Sequence, residues 1–331
     1  MTSYVVSGAT GFLGGRLVEI LRQKDLPVIA LGRNEVEGKR LQRLGATFVR
    51  TSLSDEAKLM AAIPAEAFIV HSAALSSSWG KYDDFYESNV KGTETLAKIA
   101  RLKNALRFVH ISTPSLYVTR GSQFDIRESA PLPGDPINDY AKTKLLAEEA
   151  VEAEVKAGLQ AIILRPQGIF GPKDPSILPR LIRIAKKGFI PVIGKENVQI
   201  DLTHVDNVCE AIICAIHADP IHIGKTYNIT NGDPVDQRLT LVSLLSRLGF
   251  PVREKKIPLF AAENMAKILE TLYRVLSLPG EPLLTRYSVY ALAFSRTLNI
   301  DAAKSDLHYI PKVTMEEGIE GYISWYKQSA S

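Results

Sequence analysis

The chain has 331 residues, 46% of them hydrophobic and 23% charged, and a formal net charge of +4. That length and balance describe a folded globular protein built on one large α/β unit, alone or with a smaller lobe, and exclude a disordered or fibrous chain. With no long basic run there is no nucleic-acid footprint, the histidines show no metal-ligand spacing, so no metal is expected, and no apolar run approaches the ~18 residues of a membrane span.

Met1–Ser3 lead directly into a strand-like Tyr4–Val6, without the basic and then apolar stretch of a secretory signal. Cys209 and Cys214 fit neither a zinc knuckle nor a CxxC pair and read as reduced core residues, which suits a cytoplasmic location. Short, nearly continuous apolar runs then recur at Tyr4–Ser7, Val28–Leu31, Thr47–Val49, Phe68–His71, Arg107–Ser112 and Ala161–Leu164, as in parallel strands covered on both faces. Helical spacing separates them, with Leu13, Leu17 and Leu21 on one face and Leu96, Ile99 and Leu102 on another. This βαβ alternation predicts an α/β fold with a Rossmann-type doubly wound parallel sheet.

After Leu164, glycine and proline crowd the chain at Gly168, Gly171, Pro172, Pro175 and Pro179. Such density marks a loop, and residues 1–168 are expected to form a dinucleotide-binding domain. Residues 169–331 are expected to form a smaller, mostly helical substrate-binding lobe, with residues 200–219 returning to the first domain. Glu263, Lys267, Glu270 and Arg274 interrupt the apolar stretch Leu259–Phe294, which reads as amphipathic helices.

Gly8, Gly11 and Gly14 follow the first strand and open the first helix, in the segment Gly8-Ala9-Thr10-Gly11-Phe12-Leu13-Gly14. Glycine supplies a tight turn, lets backbone approach a pyrophosphate and lets helix pack against strand, while the helix N-terminus offers amides to the anion. An NAD-selective site carries a carboxylate at the end of the second strand; here that position is Gly32, followed by Arg33 and Asn34. Arg33 suits a 2′-phosphate, so NADP(H) is expected over NAD(H), although Glu35 and Glu37 stand nearby.

Tyr140 and Lys144 lie one helical turn apart at the head of an Ala/Leu/Glu-rich helix. A neighbouring ammonium favours phenolate, so Tyr140 is expected to have a lowered pKa and to exchange a proton with an alcohol or carbonyl. Thr113, then Ser112, are the candidates for the hydroxyl that holds the carbonyl oxygen, because they end the fifth strand at the sheet's carboxyl edge.

In order along the chain, GATGFLG (Gly8–Gly14), VHSAA (Val70–Ala74), NVKGT (Asn89–Thr93), HIST (His110–Thr113), YAKTK (Tyr140–Lys144), LRPQGIFGP (Leu164–Pro172), HVDNV (His204–Val208) and YNITNG (Tyr227–Gly232) resemble the extended short-chain dehydrogenase/reductase family. The resemblance implies catalytic roles for Thr113, Tyr140 and Lys144, with Asn89 supporting the site. It also implies that Ala73 and Ala74 line the cofactor, that Pro166 and Ile169 reach its nicotinamide end, and that Tyr140 and Lys144 touch it. Where many members hold adenine with an aspartate, this chain has Ser52-Leu53, and Thr113 stands where serine is common. His204 reads as structural. A homodimer built on helices near Asp84 and Tyr140 is implied as well.

Phe170–Pro175, Leu178–Leu181 and the stretch Leu259–Phe294 are similar to 3β-hydroxysteroid dehydrogenase-like and ketone or keto-acid reductases. The expected activity is ketone–alcohol interconversion on a hydrophobic small molecule. A nucleotide-sugar epimerase or dehydratase with tightly bound NAD, and a non-catalytic NADP-sensing protein, are the alternatives.

Overall fold

The computed structural model describes residues 2–330 except Ile177, Arg180, Leu181, Ile184, Ala185, Lys187, Lys195, Glu196 and Pro251. Part of the Leu178–Leu181 resemblance, Arg180 and Leu181, therefore lies outside the described residues.

Seven parallel strands form the central sheet: β1 (Tyr4–Ser7), β2 (Val28–Gly32), β3 (Thr47–Arg50), β4 (Phe68–His71), β5 (Arg107–Ile111), β7 (Ala161–Pro166) and β12 (Thr226–Ile229). Their order, β12-β7-β5-β4-β1-β2-β3, reverses direction between β1 and β4. This is the doubly wound arrangement, and its switch point opens a crevice at the carboxyl ends of those two strands. All six expected strands are present. The strand Thr226–Ile229, which overlaps the motif Tyr227–Gly232, supplies the seventh by pairing with β7.

Alternation along these strands builds two cores. Val5, Leu31, Ile69, Phe108 and Ile163 face one layer with α3 (Glu56–Ala62), α5 (Gly92–Leu102) and α6 (Asp139–Lys156). Val6, Ala30, Val70, Val109 and Ile162 face the other, with α1 (Phe12–Gln23) and the helix Val205–His217. Leu13, Leu17 and Leu21 are buried as their spacing predicts, as are Leu96 and Ile99. Leu102 is a correction to the same pattern: it is half exposed, because α5 ends there and its last turn runs past the core.

The C-terminal part is rich in helices, including Gln237–Arg247, Leu259–Val275, Arg286–Ala293 and Met315–Ala330. It also carries short strands. β10 (Gln199–Ile200), β13 (Val235–Asp236) and β15 (Arg296–Leu298) join β6 (Gln123–Ile126) in a four-stranded sheet. β11 (Thr203–His204) pairs with β8 (Ile169–Phe170), and β14 (Glu254–Ile257) with β9 (Ile190–Ile193). Arg16 of α1 holds Asp206 with two hydrogen bonds of 2.6 and 2.9 Å, tying the first helix to Val205–His217. His204 caps that helix by accepting from the Asp206 amide. Among the described residues no helix is long and apolar enough to cross a membrane, and no group of side chains could hold a metal ion.

Candidate active site

The candidate residues come from separate stretches of chain, and parallel register delivers them to one edge. Ser7 stands beside Leu31 and His71, Gly32 beside Arg50, His71 beside His110, and Ile111 beside Leu164. The segments that follow these strands therefore emerge together. They are the glycine turn, Arg33-Asn34, Ser52-Leu53, Ala73-Ala74 and Thr113; Pro166 closes β7, and Ile169 opens β8 just beyond it.

The turn between β1 and α1 is built for a close visitor. Gly8 has φ +70, and a Cβ there would lie 2.7 Å from the Ala73 nitrogen. A Cβ on Gly14 would lie 2.3 Å from the Gly8 carbonyl oxygen. Only glycine permits both contacts. Gly11 caps α1 without any side-chain hydrogen bond, so the first amides of the helix, from Phe12 and Leu13 onward, keep their donors for an anion. Thr10 packs where a Cβ on Gly32 would sit, 2.6 Å from its methyl carbon, which brings the turn against the end of β2. This cradle fits a dinucleotide pyrophosphate.

Around the adenosine end, Arg33 is exposed and makes no ion pair among the described residues. The two carboxylates that stood against its role have other partners: Glu35 binds Arg50 at 2.6 Å and Glu37 binds Arg40 at 2.7 Å. Asn34 uses its side-chain oxygen to cap the helix Glu35–Arg43, accepting from the Val36 and Glu37 amides. Ser52 is exposed and bonds Ser54 at 2.8 Å, while Leu53 packs over Gly92 at the head of α5.

At the nicotinamide end, Asn138 caps α6 through the Ala141 amide and sets Tyr140 in the first turn. Tyr140 and Lys144 both face the end of β5, but they contact different atoms. The Thr113 hydroxyl is close enough to Tyr140 to favour its phenolate. The Lys144 ammonium donates instead to His110 Nε2 at 3.0 Å and to the Ile111 carbonyl at 2.8 Å. The expected lowering of the Tyr140 pKa is therefore corrected. Burial pushes the phenol up to about 12, Thr113 opposes this, and Lys144 contributes nothing resolved. Burial likewise lowers Lys144 to about 8.

Asn89 sits in a π-helical turn, Tyr86–Lys91, of a kind often found at functional sites. It is buried, accepts from the Leu75 amide at 2.7 Å, and donates to the Leu75 carbonyl and to Thr143. One side chain thus joins the segment after β4 to α6. Thr113 also caps the short turn Pro114–Tyr117 and donates to Ser115 Oγ, while the buried Ser112 hydroxyl has no partner among the described residues.

Sequence reading did not find several residues of this neighbourhood. Tyr287, from the helix Arg286–Ala293, lies 3.1 Å from Ser115 Oγ, and no local pattern marks it. His71 bridges Ser7 and Thr93 beneath the site, and its ring lies 5.2 Å from that of His110. Behind them Arg165 pairs with Glu148 and bonds Tyr117, which donates to Asn228. Histidine at the close of β4 and one residue before the end of β5, at paired register, was the available signal for the first network. The C-terminal helix Leu259–Val275 packs near the same mouth, with Arg274 reaching Asp139 at 3.4 Å and Tyr273 against Trp79.

A doubly wound sheet, a glycine cradle at its switch point, and a tyrosine and a lysine beside the fifth strand define a nicotinamide dinucleotide-dependent oxidoreductase. Residues 4–230 match the NAD dependent epimerase/dehydratase family, and the chain belongs to it. It is 35% identical to the uncharacterized protein YbjS of Escherichia coli over 98% of this chain and 97% of that protein. It is 32% identical to a 2-alkyl-3-oxoalkanoate reductase of Stenotrophomonas maltophilia, covering 95% and 96% of the two chains. With a mouse sterol-4-alpha-carboxylate 3-dehydrogenase, decarboxylating, it shares 29% over 95% and 88%. A Bacillus cereus UDP-glucuronic acid 4-epimerase in complex with NAD shares the fold, with a TM-score of 0.74 at 20% identity and full coverage of both chains.

Proposed function

We propose that this protein interconverts a ketone and a secondary alcohol on a hydrophobic substrate, using NADP(H), with Tyr140 as the acid/base. The observation that carries this is Tyr140 and Lys144 at the head of α6, Lys144 donating to the Ile111 carbonyl at the end of β5, on the sheet edge that also bears Thr113 and the glycine cradle. The two characterised relatives named above act on a 3-oxoalkanoate and a sterol-4-alpha-carboxylate, and both names denote largely apolar molecules that carry a carboxylate. That supports a steroid-like, long-chain or keto-acid substrate here.

Gly8, Thr10, Gly11, Phe12, Leu13 and Gly14 would hold the pyrophosphate, with Arg33, Asn34, Ser52 and Leu53 at the adenosine end. Ala73, Ala74, Pro166 and Ile169 would flank the nicotinamide end. Arg33, free of Glu35 and Glu37, supports NADP(H). The bound nicotinamide supplies or accepts the hydride. Tyr140, a neutral phenol at pH 7, gives its proton to the carbonyl oxygen in reduction, and in the reverse direction its phenolate takes the proton of the alcohol. Thr113 orients that oxygen. Asn89 keeps the segment after β4 in register with α6.

Residues 1–168, with 200–219, are proposed as the dinucleotide-binding domain and 169–331 as the substrate lobe. The helices beginning near Asp84 and Tyr140 are proposed as the homodimer contact, for which a monomeric mass by light scattering would be the opposing result. The function is tested by following NADPH oxidation across steroids, long-chain ketones and keto acids. Turnover of an apolar carbonyl supports it. Purified protein carrying stoichiometric NAD and acting on UDP-sugars would overturn it.

A further inference from the structure

The helix Leu259–Val275 turns a row of apolar side chains to solvent. Met265, Ile268, Leu272 and Val275, with Leu276 just beyond, recur at intervals of three and four residues and so form one stripe along the helix. Each is between 46% and 74% exposed. On the buried side only Ala262 and Ala266 are fully enclosed, so most of the apolar bulk of the helix faces outward. Phe260 before the stripe and Leu283 after it are exposed as well. A single exposed leucine is ordinary, whereas a contiguous row of this length marks a contact surface.

Charge is sorted around the stripe. Residues 253–276 contain three carboxylates, and each is held by an arginine from outside that stretch: Glu254 by Arg238 at 2.8 Å, Glu263 by Arg120 at 2.8 Å and Glu270 by Arg286 at 2.9 Å. Glu263 and Glu270 keep only 12% and 15% of their side chains exposed. The basic residues of the same stretch are all exposed: Arg253, Lys255 and Lys256 along and beside β14, then Lys267 and Arg274 on one flank of the stripe. The surface around the apolar row is therefore positive.

An apolar stripe rimmed by cations matches a layer that is negative at its surface and apolar beneath, the headgroup region of an anionic bilayer. A second copy of this chain is a poorer match, because a two-fold contact sets a patch against itself and would bring these cations together. Among the described residues no helix is long and apolar enough to cross a membrane, so this one would lie along the surface.

We propose that the face built on Leu259–Val275 seats the protein on an anionic phospholipid surface. The seat adjoins the mouth of the candidate site. Tyr273 packs edge-on against Trp79, the Arg274 guanidinium lies 5.3 Å over the same ring, and Arg274 reaches Asp139, the residue before Tyr140. Lipid contact thus puts a reservoir of apolar molecules beside the proposed acid/base. That last consequence rests on the ketone–alcohol reading above; the binding itself does not.

The test is flotation of the full chain with vesicles of phosphatidylcholine alone and of phosphatidylcholine with about one third phosphatidylglycerol, without substrate or cofactor. The wild type is expected to float with the anionic vesicles about tenfold or more tightly than with the neutral ones, and about 0.5 M salt should shrink that difference. Ile268→Gln with Leu272→Gln keeps helix-forming residues at two exposed positions and should abolish flotation with the circular dichroism unchanged. Lys255→Glu with Lys267→Glu should weaken binding to the anionic vesicles alone. A wild type that floats with neither vesicle, equal flotation with both, or flotation that the glutamine pair leaves intact overturns the proposal. Self-association by light scattering that the glutamine pair abolishes, with no flotation, overturns it in favour of a second copy on this face. Should the glutamine pair fail to fold, the wild type's anionic-to-neutral ratio, its salt response and the glutamate pair still decide. Each of these outcomes leaves the ketone–alcohol reading standing, since none of them reads turnover.

Discussion

Lys144 and His110 are bonded to each other in the interior, Nζ to Nε2 at 3.0 Å, with both side chains buried. An ammonium donor requires the imidazole Nε2 to accept, which puts the ring proton on Nδ1, an atom with no partner among the described residues. Burial and the adjacent ammonium hold His110 well below the ordinary histidine range, so it stays neutral. The lysine is thus anchored to β5 rather than to the phenol one turn away.

That anchoring sets a pH dependence. Burial lowers Lys144 to about 8, so in the folded protein it is a cation below that pH and neutral above it. Carbonyl reduction is expected to be steady on the acid side and to fall as pH rises through about 8. The stability sign is separate: an unfolded lysine keeps its proton to about 10.4, so the cost of the buried cation is fully present below pH 8 and is relieved between 8 and that value. Lys144→Met removes the buried cation but leaves His110 Nε2 and the Ile111 carbonyl without their donor, so the sign to read is that of the pH dependence: between about pH 8 and 10.4 the wild type should gain stability relative to the variant. The variant should also bind NADPH about tenfold or more weakly by fluorescence titration.

Tyr140→Phe removes the transferable proton but keeps the ring against Phe85. Turnover should fall about 10²–10⁴-fold with NADPH affinity little changed. Wild-type turnover in this variant would contradict the proposed role.

Arg33→Ala should move cofactor preference toward NAD(H), losing about tenfold or more in kcat/KM with NADPH and little with NADH. Steady-state kinetics with both cofactors check it, and a wild type that favours NADH tenfold removes the premise.

Asn89→Ala leaves the Leu75 amide and carbonyl without their side-chain partner. A loss of about 1–3 kcal/mol is expected, read as a lower Tm or urea midpoint. Asn89→Asp should be intermediate, since it can accept from Leu75 but not donate.

Gly14→Ala would force a methyl to 2.3 Å from the Gly8 carbonyl oxygen, so α1 must move off β1. Cofactor affinity should drop more than stability does, since the anion site depends on that spacing. Calorimetric titration and melting, measured together, separate the two.

The sequence showed the sheet because its strands are short, apolar and separated by helical spacing, and parallel pairing makes that composition obligatory. Thr226–Ile229 escaped because it lies far along the chain, beyond the glycine- and proline-rich loop that ends the regular alternation. The glycine turn and the tyrosine–lysine pair were legible for a related reason: each is a local requirement, of backbone room or of helical phase. Which atom Lys144 meets was not legible, since it depends on where β5 places His110 and Ile111, and neither was the burial that raises the Tyr140 pKa.

By itself, then, the sequence determined the doubly wound sheet and its phosphate-binding turn, because periodicity and glycine placement act over a few residues. Only the tertiary structure decided the partners of Lys144 and the approach of Tyr287 to Ser115. Those depend on contacts between segments more than thirty to more than a hundred residues apart, where burial and hydrogen bonding in space set charge and no local pattern records the outcome.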